Sequence, residues 1–317
     1  MKTEIDWMGR WYDIIKERGE NDEPTFGMLN LKTKTIEWIR FSHSQMDGVG
    51  VLNYFYNKRG IQLKKFPDLK EKKAPSFFEM LLIFFKLIFQ NKKVKPDWIE
   101  RNPTASPEDI HRVHFHVFYP DEVKKLQEHC KKHQYSLCAF LMHETSEVLL
   151  NQLTTNHEGT WTLPVNLRPV LKRQDYNSNH SSGVLISYQK NKSPLDLHLQ
   201  IKTALKNKVH WAVWWIHQIG RIVGISGMRY LSNANAKKNF WVGSFSFLGE
   251  WDLPADEIFV GGPPGSKNFP ISVMVMLANS HMTLSIKIHP YILKDEEKVP
   301  ELLSQLSTHI LKKVEQI

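Results

Sequence analysis

The clearest pattern lies near the end of the chain. Met282, Leu284, Ile286 and Ile288 alternate with Thr283, Ser285 and Lys287, the two-residue period of a strand with one face in and one face out. Ile271 to Leu277 supplies a partner arm, and Asn279-Ser280 joins the two as a hairpin. A helical period takes over from Val299 to Ile317. Further helices are expected from Pro120 through Lys132, from Leu137 to Leu153, and from Leu195 to about Gly220, where Trp211, Trp214 and Trp215 fall at i, i+3 and i+4. Strands are expected at 114–119, 160–165, 184–188 and 240–247 from their β-branched and aromatic content. In the first third of the chain we read a short helix over 7–16 followed by a loop to Asn30. A buried strand over 35–42 and a helix over 49–56 come next. Ser76-x-x-Glu79 has capping-box spacing and opens an apolar helix from Phe77 to Gln90 whose polar positions, Glu79, Lys86 and Gln90, make one thin stripe. Lys95 to Pro107, with three prolines, reads as a linker. Helices and strands mix without the regular alternation of a doubly wound sheet. An α/β sandwich with mixed sheets is therefore expected, with lobes at 1–107 and 108–317.

Composition adds limits. At 317 residues and 41% apolar the chain can bury two lobes and is not disordered. Two cysteines, Cys130 and Cys138, make no disulfide framework, so a reducing, cytoplasmic setting is expected. The N-terminus carries Glu4 and no apolar run, unlike a signal peptide. The apolar helix at 77–90 would span about 21 Å, short of a hydrocarbon layer of about 30 Å. Net charge is +9, and from Lys58 to Lys95 eleven Lys or Arg stand against three acids, a local +8. That block fits a solvated surface, a phosphorylated co-substrate or an anionic membrane touched through 77–95. Nucleic acid has only the charge in its favour, and no nucleic-acid partner is expected. His111, His114 and His116 lack an acid or cysteine at ligand spacing, so no metal is expected. Gly261-Gly262-Pro263-Pro264-Gly265 lacks the lysine and helix of a phosphate loop and reads as a turn.

One segment carries chemistry. His43-Ser44-Gln45-Met46-Asp47-Gly48 follows the strand at 35–42. An imidazole there can take a proton near neutral pH, and a carboxylate four residues on can brace the turn. Gly48 permits a sharp bend. The same spacing also describes a turn histidine with a capping aspartate.

FSHSQMDGVG, the strand-and-helices stretch from Val117 to Leu149, LPVNLRPV and WVGSFSFLGEW resemble, in order, segments of the condensation-domain and chloramphenicol-acetyltransferase-like superfamily of acyltransferases, with its wax-ester-synthase and alcohol-acyltransferase types. The similarity runs over roughly residues 28 to 312. It implies two chloramphenicol-acetyltransferase-like lobes with a tunnel between them. It also implies transfer of an acyl group from acyl-CoA or an acyl carrier protein to an alcohol or amine, and the apolar helix at 77–90 with the tryptophans of 211–215 points to a medium or long chain. By the same resemblance His43 is the general base, and Asp47 and Gly48 complete its motif. Ser246 helps hold the oxyanion, and Asn166, Arg168 and Trp214 lie at the substrate site. Arg168 is also the candidate ion-pair partner of Asp47. No bound cofactor is implied. Ser42 replaces the first histidine of the family's pair, and Phe247 replaces the asparagine of its second-lobe strand. Only 42 residues precede His43, so a truncated first lobe is expected, with a catalytically silent protein binding a partner or an anionic membrane as the alternative.

Overall fold

A computed structural model describes residues 6–18, 20, 23–61, 73–90, 94–105, 112–171, 179–236, 241–262 and 265–315. In chain order the elements are α1 (Trp7–Glu17), β1 (Thr25–Asn30), β2 (Ile36–Arg40), α2 (Gly48–Lys58), α3 (Phe77–Gln90), β3 (His114–Phe118), α4 (Pro120–Lys132) and α5 (Leu137–Leu153). There follow β4 (Gly159–Asn166), α6 (Arg168–Leu171), β5 (Ser181–Tyr188), α7 (Pro194–Lys206), α8 (Val209–His217), α9 (Gly220–Ala236) and β6 (Trp241–Trp251). The chain closes with β7 (Glu257–Gly262), β8 (Ile271–Ala278), β9 (His281–Ile288) and α10 (Lys298–Glu315).

The expected α/β architecture with mixed sheets is present. A six-stranded sheet runs β3-β9-β8-β6-β4-β5, with β4, β6 and β8 parallel to one another and the other pairings antiparallel. One face packs on α4, α5, α7 and α10 through Phe118, Leu126, Phe140, Trp161, Leu197 and Leu306. At the β6–β8 approach a side chain on Gly243 would collide with the Ile271 carbonyl oxygen, so only glycine fits. Central β8 is buried at every position, which is why its sequence is apolar apart from Ser272. The β8–β9 hairpin turns at Asn279 and Ser280, both at positive φ.

The second face of that sheet departs from the sequence reading. Thr283, Ser285 and Lys287 were expected to face outward, yet each is buried. The cause is a second sheet, β2-β1-β7, laid across β8 and β9. Thr283 Oγ1 donates to the Phe259 carbonyl at 2.8 Å, and Ser285 Oγ accepts from the Gly261 N–H at 3.3 Å. One buried cluster joins the small sheet, α2 and β8 through Phe26, Met28, Val51, Leu52, Phe55, Phe259, Met274 and Met276. Thr25–Asn30, read as a loop, is the central strand of this small sheet, and it pairs with 257–262 from far along the chain. The strand at 35–42 was expected to be buried. It is an edge strand, with Trp38 44% exposed, because only β1 pairs with it. The smaller sheet thus takes strands from both sides of residue 107.

One helical expectation also changes. The helix expected over 195–220 breaks at Lys208, which is left-handed (φ 57°), into α7 and α8, and α9 follows it. The segment 95–107 is anchored where described: Trp98 is buried and pairs with Thr154, and the Val94 N–H donates to Thr160 Oγ1 at 2.9 Å. The capping box at Ser76 and Glu79 forms. Most of the basic connection at 58–75 lies outside the described residues, as does His111. No helix among the described residues is long and apolar enough to cross a membrane.

Candidate active site

β2 ends at Arg40, and the chain turns at His43–Gln45 before α2 begins at Gly48. Asp47 is the N-cap of α2: its Oδ1 accepts from the Gly50 N–H at 3.1 Å. Its second oxygen, Oδ2, accepts from Arg168 Nη1 at 2.7 Å and from the His180 N–H at 3.2 Å. The carboxylate therefore points away from the turn and ties three chain segments together. Arg168 was expected both at the substrate site and opposite Asp47, and the structure shows the Asp47 contact. Its side chain is 0% exposed and engaged with Asp47, so it braces the loop. Asn166 supports it, with Oδ1 accepting from the Arg168 N–H at 3.1 Å. Gly48 is not sterically required, because an added Cβ would meet only the Phe26 ring, at 3.8 Å.

His43 is held by a residue the sequence reading missed. Asn179 Nδ2 donates to the His43 carbonyl at 2.6 Å. Its Oδ1 therefore faces the ring, 3.1 Å from Nδ1, and must accept. A flipped amide would set two acceptors against each other. Nδ1 thus carries the proton and Nε2 keeps its lone pair, the tautomer a general base needs. Burial holds the His43 pKa below its usual value, opposed by its own carbonyl, by Asp47 and by Asn179.

α1 closes over this turn. Tyr12 stacks on His43 with centroids 3.9 Å apart and planes 6° apart. An added Cβ on Gly9 would stand 2.6 Å from the Ser44 carbonyl oxygen, so glycine permits that approach. Ser42 and Ser44 share a hydroxyl hydrogen bond of 2.8 Å. Stacking covers a face of the imidazole. Neither Tyr12 nor Asn179 carried a motif signal; each meets His43 only through the fold.

The remaining expected residues sit on other elements. Ser246 is buried in the middle of β6, beside Met274 of β8, on the sheet face toward the smaller sheet. No hydrogen bond joins it to His43 among the described residues. Trp214 is half-buried in α8, within the cluster of Met80, Ile83, Leu167, Val170 and Trp211.

A second polar cluster arises from α5 and α10. Glu144 is buried, accepts from His309 Nε2 at 2.7 Å and sits 2.8 Å from His143 Nδ1. Although burial raises it, those two imidazoles pull its pKa down to about 2. His143, Glu144 and Glu147 bring potential ligand atoms within 4.8 Å of one another. His309 and Lys313 already hold those carboxylates, with Lys313 Nζ 3.7 Å from Glu147 Oε2. The group is an ion-pair network joining two helices.

By sequence the chain matches no protein-family model and no characterised protein. By structure it is similar to the trichothecene 15-O-acetyltransferase of Fusarium sporotrichioides, at 13% identity and a TM-score of 0.58, over 98% of this chain and 76% of that one. It is also similar to the epimerization domain from the third module of tyrocidine synthetase B, at 12% identity and TM-score 0.54, over 89% and 69% of the two chains. A third is the cyclization-docking bidomain EpoB of Sorangium cellulosum, at 13% and 0.57, over 88% of this chain and 60% of that one. The fold is that of condensation domains and chloramphenicol-acetyltransferase-like acyltransferases.

Proposed function

We propose that the protein transfers an acyl group from a thioester to a hydroxyl or amine, with His43 as general base. The observation that carries this reading is the Asn179 contact: its Nδ2 donates to the His43 carbonyl and its Oδ1 faces Nδ1, an arrangement that favours a proton on Nδ1 and a free lone pair on Nε2. In the reaction, Nε2 takes the acceptor's proton as its oxygen or nitrogen attacks the thioester carbonyl carbon. The tetrahedral oxyanion is met by a donor, for which Ser246 Oγ is our candidate. The C–S bond then breaks, and the imidazolium returns the proton to the leaving thiolate. The acyl group never resides on the protein. Asp47 keeps negative charge near the imidazolium as it forms, and the Arg168 pair keeps that charge fixed.

The donor is proposed to be acyl-CoA or an acyl carrier protein. The acyl chain is placed against the apolar cluster that includes Trp214, with Asn166 at the base of the same loop. Thiol release from a panel of acyl thioesters, with and without alcohol and amine acceptors, tests the reading. Release that rises with a particular acceptor is expected. A rate equal to background with every pair tried would leave the protein a silent member of the fold.

A further inference from the structure

Helix α3 is inverted relative to an ordinary surface helix. Met80, Ile83 and Phe84 pack inward on Leu167, Val170 and Trp211. Phe78, Leu81, Leu82 and Phe85, at i, i+3, i+4 and i+7, form a second apolar stripe on the opposite side. That stripe is exposed: Phe78 is 77%, Leu82 63%, Phe85 52% and Leu81 49% accessible. Four large side chains on one face of one helix are a patch rather than scattered apolar surface. α3 packs on α8, and α9 also exposes Ile222, Val223 and Ile225.

We propose that the outer stripe of α3 docks on an anionic lipid surface. Charge selects this occupant. In sequence the stripe lies within Lys58 to Lys95, which holds eleven Lys or Arg against three acids, with Lys58 and Arg59 paired to Glu37 and Glu257. Lys73 and Lys86 are exposed beside the stripe. A second copy of this chain would set the exposed Lys73 and Lys86 of each against the other's, and like charge opposes that contact. An anionic bilayer offers the opposite charge and an apolar layer beneath it, so lysines meet headgroups while Phe78, Leu82 and Phe85 enter the acyl boundary. The helix is too short to span and lies along the surface. This inference does not depend on the acyl-transfer reading.

Co-sedimentation of the full chain with vesicles tests it, using phosphatidylcholine alone or with about 30% phosphatidylserine, at about 0.05 M and about 0.5 M salt. Binding is expected to the serine-containing vesicles at low salt and to weaken several-fold at high salt. The variant Leu82→Ser/Phe85→Ser, whose replaced side chains face solvent and whose melting temperature should match wild type, is expected to lose tenfold or more of the binding. No binding of wild type to phosphatidylserine vesicles at low salt would overturn the proposal. So would equal binding by the variant. Concentration-dependent dimers in sedimentation velocity that the variant abolishes would also overturn it, by making a second copy the occupant.

Discussion

Replacing Asp47 by asparagine separates bracing from catalysis. Asparagine is as good an N-cap as aspartate, so the start of α2 is preserved. What is lost is the carboxylate facing Arg168 at 2.7 Å, between side chains that are 0% and 5% exposed. Removing one partner from a buried pair costs about 3–5 kcal/mol, since the other charge stays desolvated. For a chain of this size roughly 2–3 °C of melting temperature accompanies each kcal/mol, so Asp47→Asn should melt roughly 6–15 °C below wild type. Adding Arg168→Met removes the stranded charge and should recover part of that loss. Differential scanning fluorimetry on the four proteins of this cycle measures the coupling, and acyl transfer is followed in parallel. His43→Ala should leave the melting temperature nearly unchanged. Were Asp47→Asn to melt within about 2 °C of wild type, the pair would not brace the loop and the reasoning would fail.

Three further outcomes follow from the same geometry. Asn179→Leu removes the partner that fixes the His43 tautomer; kcat should fall roughly 10- to 100-fold with little change in KM, because transition-state proton transfer is affected more than binding. The pH profile of kcat/KM should lose activity on the acid side with an apparent pKa below 6.5, since burial lowers the His43 pKa; an acid limb above 6.5 would contradict the burial argument. Glu144→Gln should destabilise the α5–α10 contact by roughly 3 kcal/mol at pH 7. The folded pKa of Glu144, about 2, lies below its ordinary 4.5. Its stabilisation is therefore present above about pH 4.5 and fades as pH falls towards 2, so the gap between mutant and wild type in denaturant melts should close in acid.

The legible parts of the fold were local. α4, α5, α10 and the β8–β9 hairpin announce themselves through periodicity, caps and a turn, all within a few neighbouring residues. Long-range pairing hid the rest. β1 and β7 meet at Thr25 and Gly262, and neither TFGMLN nor EIFVGG has a pattern strong enough to stand without its partner. The same sheet explains why Thr283 and Ser285 read as solvent-facing and are not: their hydroxyls bond to β7 backbone. α9 went unread because Gly224 and Gly227, with Ser and Asn nearby, look like breakers, and Gly224 does interrupt the helix at φ 65°. At the candidate site the His43 turn, its capping Asp47 and the arginine in LPVNLRP stood out in the sequence. Asn179 and Tyr12 did not, because what makes them matter is a hydrogen bond spanning 136 positions and a ring stack with no spacing rule behind either.

The central claim is that Nε2 of His43 moves the acceptor's proton. It is tested most directly by the rate of acceptor-dependent thiol release in wild type and His43→Ala, compared at equal folded concentration. A general base of this kind contributes about 100- to 10,000-fold, so a loss in that range with an unchanged melting temperature is predicted. Equal rates in the two proteins would contradict it.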